Sequence, residues 1–588
     1  MPSTTEATGG HHAGDDRAGS LLAGLNEAQR EAALTLVGPV RILAGAGTGK
    51  TRTITHRIAH GIREGVYDPG RVLTLTFTAK AAGELRERLR ALGAPGVQAR
   101  TFHAAALSQL SYFWPHTVGG EPPRVLSGKG PVVAEAAQRI GLRVDQPAVR
   151  DLATEIEWRK VRDLTIEEYA VAAQARALPA GLDTDRAAAL LQAYEAVKDE
   201  RRSMDFEDVL LATAGMLELE PWVTQRVREQ YRFFVVDEYQ DVSPLQHRLL
   251  RLWLGSRREL CVVGDPAQTI FSFTGATSDH LVGFPHEFPG ARTVELGMNY
   301  RSTGAVIDVA NGIAREIAAA LQLAPADPLA SGPSPSLTAY DDDDAEAEGV
   351  ARAISADLLE GVAADEIAVL FRLRGQAEPI ERALQHAGIP YVLHGQRRYF
   401  EQPIVRTAIT ALRAEAANPR EEPLFQTVRR VLGDLGWAPT APARPGAQRD
   451  TWAALDAIVR LADAAGDRTT IVTFASNLAE RARLQLEPTL GAVMLSTVHA
   501  AKGLEWDSVH VIGASDDLLP FVAARSKEAI DEERRLAYVA VTRARRSLRL
   551  SYAVGGGREG RRAPSRFLAP LGTRIRGGSA TASSTPRP

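Results

Sequence analysis

Four apolar runs, VRILA (40–44), VLTLTF (72–77), RFFVV (232–236) and LCVVG (260–264), recur in the first half of the chain between stretches of helical periodicity. Apolar at nearly every position rather than at alternate ones, they predict strands covered on both faces, as in a parallel sheet wrapped by helices. A second set, IAVLFR (367–372), AVMLST (492–497), SVHVIG (508–513) and LRLSY (548–552), predicts a second core of the same kind. Two Ala-, Leu-, Arg- and Glu-rich segments, 106–200 and 376–488, carry helical periodicity and few strand signals, and are expected to be helical insertions. The fold class is therefore α/β. The first core spans 21–105 and 201–285, the second 286–375 and 489–570, and small polar tails at 1–20 and 571–588 are expected to be disordered. The Pro- and Asp-rich stretch 325–345, with its run Asp341 to Asp344, reads as an exposed loop.

Composition narrows the partners only a little. With 45% hydrophobic and 24% charged residues and a net charge of −3, the chain is globular, and any nucleic-acid surface must be a local groove rather than the whole field. One cysteine, Cys261, excludes an intrachain disulfide and a multi-cysteine zinc site. No signal-peptide pattern and no apolar run of 18 residues appear, so a soluble, cytoplasmic protein without a membrane partner is expected. Only seven of the 69 basic residues are Lys, at 50, 80, 129, 160, 198, 502 and 527. Lys50, Lys80 and Lys502 fall in Gly- or Ala-flanked segments, where a compact ammonium suits a site that a planar guanidinium would not.

The stretch YRFFVVDEYQDVSPLQ (231–246) runs from a buried strand into Asp237, Glu238 and Asp241. Carboxylates so close raise one another's pKa values unless a cation shares the space, and the carboxyl end of a parallel strand is where ligands bind. AGAGTGKT (44–51) supplies the context for that cation: a strand, then Ala44, Gly45, Ala46, Gly47, Thr48, Gly49, Lys50 and Thr51, then a helical pattern. Such a turn presents backbone N–H groups and a helix N-terminus to phosphate. Lys50 reaches the β and γ phosphates of ATP, Thr51 and Asp237 hold Mg²⁺, and Glu238 activates the attacking water.

With these segments in view the chain resembles the UvrD, PcrA and Rep group of superfamily 1 DNA helicases. LNEAQREA (25–32), TFTAKAAGELRERL, TFH (101–103), VVDEYQD, VVGDPAQTIFSFTGA, LGMNYRST, VMLSTVHAAKGLEWDSV and EERRLAYVAVTRARRSL match its motifs in order, from about residue 25 to 553. The resemblance implies two RecA-like cores of the P-loop NTPase kind, with ATP bound between them. It also implies that Gln29 faces the adenine, Tyr300 stacks on it, Glu505 meets the ribose, Gln268 senses the γ phosphate, and Arg301 and Arg543 stabilise the transferring phosphoryl group.

For DNA, the resemblance places stacking rings at Phe77, Phe271 and Phe273 and backbone or base-edge contacts at Thr101, His103, Thr497 and His499. The family commonly has Tyr at the position of Phe271, Trp at Phe273 and Arg where Thr274 stands, so the stacking area here is smaller. The second insertion is shorter than in the family, and RRVLGDLGW (429–437) is the nearest counterpart of its duplex-touching glycine turn. No accessory DNA-binding or nuclease domain is expected after the last motif. The implied function is an ATP-driven 3′-to-5′ helicase acting on single-stranded DNA and single-strand/duplex junctions in repair, alongside unidentified repair proteins. Two other readings stay open: a translocase that strips proteins from DNA without unwinding it, and an ATP-gated DNA-binding scaffold.

Overall fold

The computed structural model describes residues 21–174, 178–179, 182–272, 275–327, 332–394, 399–420, 422–440, 447–466, 469–484, 491–555, 560–569, 572 and 576–579. These form two compact units, Met1–Gly297 with Ala319–Leu321, and Met298–Ala318 with Gln322–Pro588.

The first unit is built on a six-stranded, all-parallel sheet. Its strands are β1 (Val40–Ala44), β2 (Val72–Thr76), β3 (Gln98–Thr101), β4 (Phe233–Val236), β5 (Leu260–Gly264) and β6 (Arg292–Leu296), in the order β3-β2-β4-β5-β1-β6. Every residue of β2, β4 and β5 is buried, which is why these strands read as unbroken apolar runs. β3 and β6 lie at the sheet edges, carry polar residues and gave no comparable signal. The pairing of β6 with β1 carries the first unit on to Gly297, past the boundary of 285 expected from sequence. Between β3 and β4, Val132, Ile156, Tyr169, Leu190 and Tyr194 join in a separate hydrophobic cluster, the helical insertion.

The second unit holds a seven-stranded parallel sheet: β7 (Ser336–Tyr340), β8 (Ile367–Phe371), β9 (Tyr391–Leu393), β10 (Val493–Thr497), β11 (Trp506–Val511), β12 (Ala544–Ala553) and β13 (Arg576–Ser579), ordered β9-β10-β8-β11-β12-β7-β13. Three expectations are corrected here. Residues 336–340 are a strand rather than loop, and the acidic run starts a helix, Asp343–Leu359, with Asp342 Oδ1 accepting from Ala345 N at 2.8 Å. Carboxylates are favourable at a helix N-terminus, where they satisfy free N–H groups and complement the dipole, so the charge run marks a cap. Residues 576–579, expected in a disordered tail, pair with Ser336–Ala339 at the sheet edge; a backbone ladder leaves no signature in RGGS. Helix Ala377–His386 and β9 pack on the second sheet, so the insertion proper begins after them, around a cluster that includes Val405, Leu412, Val428 and Leu455.

Among the described residues, no helix is long and apolar enough to cross a membrane. Cys261 is buried in β5 and unpaired with any other cysteine.

Candidate functional site

β1 delivers the glycine-rich turn to the carboxyl edge of the first sheet. Gly45 N donates to Leu296 O at 3.2 Å, and Thr48 Oγ1 closes the turn on Gly45 O at 2.9 Å. Gly47 and Gly49 take φ of 68° and 83°, where a side chain would be strained. Gly49 caps the helix Lys50–Arg63 without a side-chain hydrogen bond, so the first-turn N–H groups of this helix have no side-chain competitor for an anion. Gln29 belongs to the same assembly. It completes a capping box with Asn26 on helix Glu27–Leu34, and its Nε2 donates to Thr48 O at 2.9 Å, which fixes the buried carboxamide against the turn.

β4 brings the acids to the same edge. Lys50 Nζ lies 3.5 Å from Glu238 Oε1. Glu238 has φ 52° and ψ 41°, a left-handed conformation costly for a glutamate. Three hydrogen bonds hold it there: Glu238 N to Asp237 Oδ1 at 2.9 Å, Asp241 N to Glu238 O at 2.9 Å, and Gln240 Nε2 to Glu238 Oε2 at 2.5 Å. Burial, then the neighbouring Glu238, pushes the Asp237 carboxyl up to about 7, against the pull of Lys50. A buried acid so placed favours its charged form only beside a cation. One carboxylate and the Thr51 hydroxyl suit magnesium, which takes few protein ligands when phosphates supply the rest.

From β5 come Asp265 and Gln268, both buried. Gln268 Nε2 donates to Asp265 Oδ2 at 2.7 Å, and Asp265 N donates to Gln240 Oε1 at 3.0 Å. Burial raises the Asp265 pKa, with Lys50 opposing. Gln240 lies inside VVDEYQD, but nothing in that segment marks it, because its partner Asp265 comes from the end of another strand.

In the second unit, Tyr300, Arg301, Glu505 and Arg543 lie around the end of the helix Lys527–Val541. Asn299 Oδ1 accepts from Arg301 N at 2.8 Å and Ser302 N at 2.7 Å, fixing the turn that leaves Tyr300 half exposed. Arg301 is ion-paired with Glu505, and its Nη1 reaches Thr542 O at 3.4 Å. Glu505 Oε1 also meets Arg545 at 3.3 Å. Arg543 is buried, with Nε on Val539 O at 3.0 Å, Nη1 on Leu504 O at 3.0 Å and Nη2 on Thr542 Oγ1 at 3.2 Å.

The residues assigned to DNA divide between the two units. In the first, Phe77 packs against the core below β2, Thr101 Oγ1 caps the following helix by accepting from Ala104 N at 3.1 Å, and Phe271 is partly buried. His103 stacks on Phe206 with ring centroids 3.8 Å apart and planes 14° apart. Phe206 is 52% exposed, a ring platform that the sequence did not single out because DFED reads only as a helix start. In the second unit, Thr497 ends β10 and accepts from Ala500 N at 3.3 Å. Burial lowers the His103 and His499 pKa values to about 4, Lys129 adding to the effect at His103 and Arg372 and Lys502 at His499. Phe273 and its neighbour Thr274 lie outside the described residues.

Three of the rare lysines find their reason in the first insertion. Lys160 Nζ, fully buried, sits 2.7 Å from Asp205, 2.5 Å from Asp208 and 3.0 Å from Glu195. Lys198 pairs with Glu195 and Asp208, and Lys129 with Glu157 and Glu207. Burial works against the Lys160 charge, but Asp205, Asp208 and Glu195 outweigh it and raise its pKa.

Comparison with known proteins agrees with this geometry. Residues 25–289 match the UvrD/REP helicase N-terminal domain, and residues 294–438 and 458–555 the UvrD-like helicase C-terminal domain. The chain is 43% identical to the ATP-dependent DNA helicase UvrD2 of Mycobacterium tuberculosis, over 93% of this chain and 81% of that protein. It is 29% identical to the ATP-dependent DNA helicase PcrA of Leuconostoc citreum, over 94% and 85% of the two chains. With the ATP-dependent DNA helicase Rep of Escherichia coli the identity is 28%, over 93% and 94%. The phosphate turn, the acidic strand end and the two arginines thus stand in a chain that belongs to the UvrD/Rep helicase family.

Proposed function

We propose that this protein is an ATP-dependent DNA helicase that moves 3′ to 5′ along single-stranded DNA, opens duplex at single-strand/duplex junctions, and serves DNA repair or recombination. The observation that carries the ATPase reading is the meeting of Lys50 and Glu238 at 3.5 Å, beside Asp237 and a helix N-terminus that no side chain caps. The family likeness supports the DNA substrate, the polarity and the repair role.

In this reading the turn from Ala44 to Thr51 cradles the phosphates, and Gln29 and Tyr300 hold the adenine. Glu238 accepts the proton of the water that attacks the γ-phosphorus, while the bond to the bridging oxygen breaks and ADP leaves with the electron pair. Magnesium, held by Thr51 and Asp237, would supply charge neutralisation at the β and γ phosphates. Lys50, Arg301 and Arg543 offset the negative charge of the transferring group, and Glu505 meets the ribose. Gln268 senses the γ phosphate through its bond to Asp265. Phe77, Phe271, Phe273 and Phe206 offer rings to successive bases, each worth about 1–3 kcal/mol, and Thr101, His103, Thr497 and His499 contact the strand.

Strand displacement on 3′-tailed, 5′-tailed and blunt duplexes tests the proposal. Opening of the 3′-tailed substrate alone is the expected result. ATPase activity stimulated by single strands without duplex opening would make the protein a translocase, and a Glu238→Gln variant hydrolysing ATP at the unaltered rate would remove Glu238 as the base.

A further inference from the structure

We propose that Gln240 is a positioning residue that couples the γ-phosphate-sensing Gln268 to the catalytic carboxylate of Glu238. The inference rests on the reading of Glu238 as the general base and adds to it a fixed internal link. Gln240 is completely buried. Its Nε2 donates to Glu238 Oε2 at 2.5 Å, and its Oε1 accepts from Asp265 N at 3.0 Å. Asp265 in turn holds Gln268 through Oδ2 at 2.7 Å, and Ala267 N through Oδ1 at 3.0 Å. Both ends of one carboxamide are therefore committed, one to the end of β4 and the other to the end of β5.

Three features say that the link is built rather than incidental. Gly264 ends β5 where a Cβ would collide with Gln240 Oε1, so the strand approaches the carboxamide as closely as a backbone can. Glu238 keeps a left-handed backbone that needs its surroundings to hold it, and Gln240 holds one oxygen of its carboxylate while Lys50 faces the other. A carboxamide is suited to this position: it donates to a carboxylate on one side and accepts from an amide on the other, where neither a carboxylate nor an ammonium could do both. A shift of Gln268 is passed by Asp265 to the Gln240 carboxamide, and so to the carboxylate that must face the attacking water. A displacement near 1 Å at that point is worth about 100-fold in rate.

The test uses full-length protein with steady-state ATPase at saturating single-stranded DNA, nucleotide binding, and thermal melting. Gln240→Met keeps the length and removes both polar atoms. The expected result is a kcat reduced about 10- to 100-fold, with ATP affinity within about 2-fold and with less stimulation by DNA. Gln268→Met and the double variant complete a cycle, and the double variant is expected to be no worse than the weaker single one. Additive losses, or a Gln240→Met enzyme with unchanged kcat and DNA stimulation, would overturn the proposal. If Gln240→Met does not fold, Gly264→Ala crowds the same carboxamide from β5 and is expected to give the same kcat defect; a folded Gly264→Ala enzyme with full DNA-stimulated kcat also overturns it. Glu238→Gln run in parallel separates the two levels: if that variant retains full hydrolysis, the base assignment fails, whatever Gln240 does.

Discussion

Arg301 is paired with Glu505, yet its guanidinium is not fully spent: Nε is buried and has no hydrogen-bond partner. Arg543 differs, since Nε, Nη1 and Nη2 each reach an oxygen of its own unit. The two arginines should therefore separate on substitution. Arg301→Ala is expected to lower kcat about 10³-fold, the scale of a phosphate-stabilising arginine, while the melting temperature moves little. Arg543→Ala should lose activity and also about 3 kcal/mol of stability, because it leaves buried carbonyls unpaired. Steady-state ATPase assays and denaturant unfolding of both variants check this.

Phe206 offers a half-exposed face while His103 covers the other. Phe206→Ala is expected to weaken single-stranded DNA binding by about 1–3 kcal/mol, roughly 5- to 150-fold in Kd, with ATP hydrolysis in the absence of DNA unaffected. Phe77 packs into the core as well, so Phe77→Ala should lower both affinity and melting temperature. Fluorescence anisotropy with a labelled oligonucleotide, alongside thermal melting, distinguishes the two.

Acid should destabilise the protein well above the carboxylate range. His103, His280 and His499 each have a pKa lowered from 6.5 to about 4, foremost by burial. Below pH 6.5 the unfolded chain gains protons at these rings that the folded chain refuses until about pH 4, so the stability owed to them is complete above pH 6.5 and falls steadily between 6.5 and 4, offset in part by Asp237, whose raised carboxyl favours the folded chain as pH falls below about 7. Melting temperatures measured at pH 7, 6 and 5 should decline, and the decline should be shallower in a His103→Asn, His499→Asn double variant. A decline no shallower in the double variant than in the unaltered protein would contradict the burial of these rings.

Lys160 neutralises a cage of acids from inside the first insertion. Lys160→Met should cost about 3–5 kcal/mol, the cost of leaving buried carboxylates without their cation. Lys160→Arg should restore little of it, because a planar fork cannot take the place of a compact ammonium among three carboxylates. Urea unfolding of the three proteins measures the difference.

The sequence was informative wherever a local pattern has a single physical use. A mostly apolar run bounded by helical periodicity belongs to a strand inside a covered sheet, so β1, β2, β4, β5, β8, β10, β11 and β12 were all visible, and with them the two-core α/β plan. The glycine spacing of 44–51 was equally plain, because φ values of 68° and 83° exclude most other residues. The edge strands β3, β6 and β13, and the half-buried β7 beside β13, were not visible, since partial exposure allows polar residues and hydrogen bonding along the backbone needs no particular side chain. The Asp341–Asp344 run suits an exposed loop and a helix cap equally, and only the helix that follows decides between them.

What the chain alone determined, then, is which residues can do chemistry: a turn for phosphate, acids at a strand end, arginines within recurring motifs. What the tertiary structure decided is which of them touch. Gln240 meets Asp265, Phe206 covers His103, and Lys160 reaches Asp205 across 45 positions of sequence. Such pairings follow from strand order and helix packing, and the physical reason they escape a sequence is that a hydrogen bond or a buried charge is satisfied by whatever the fold brings near, not by its neighbours along the chain.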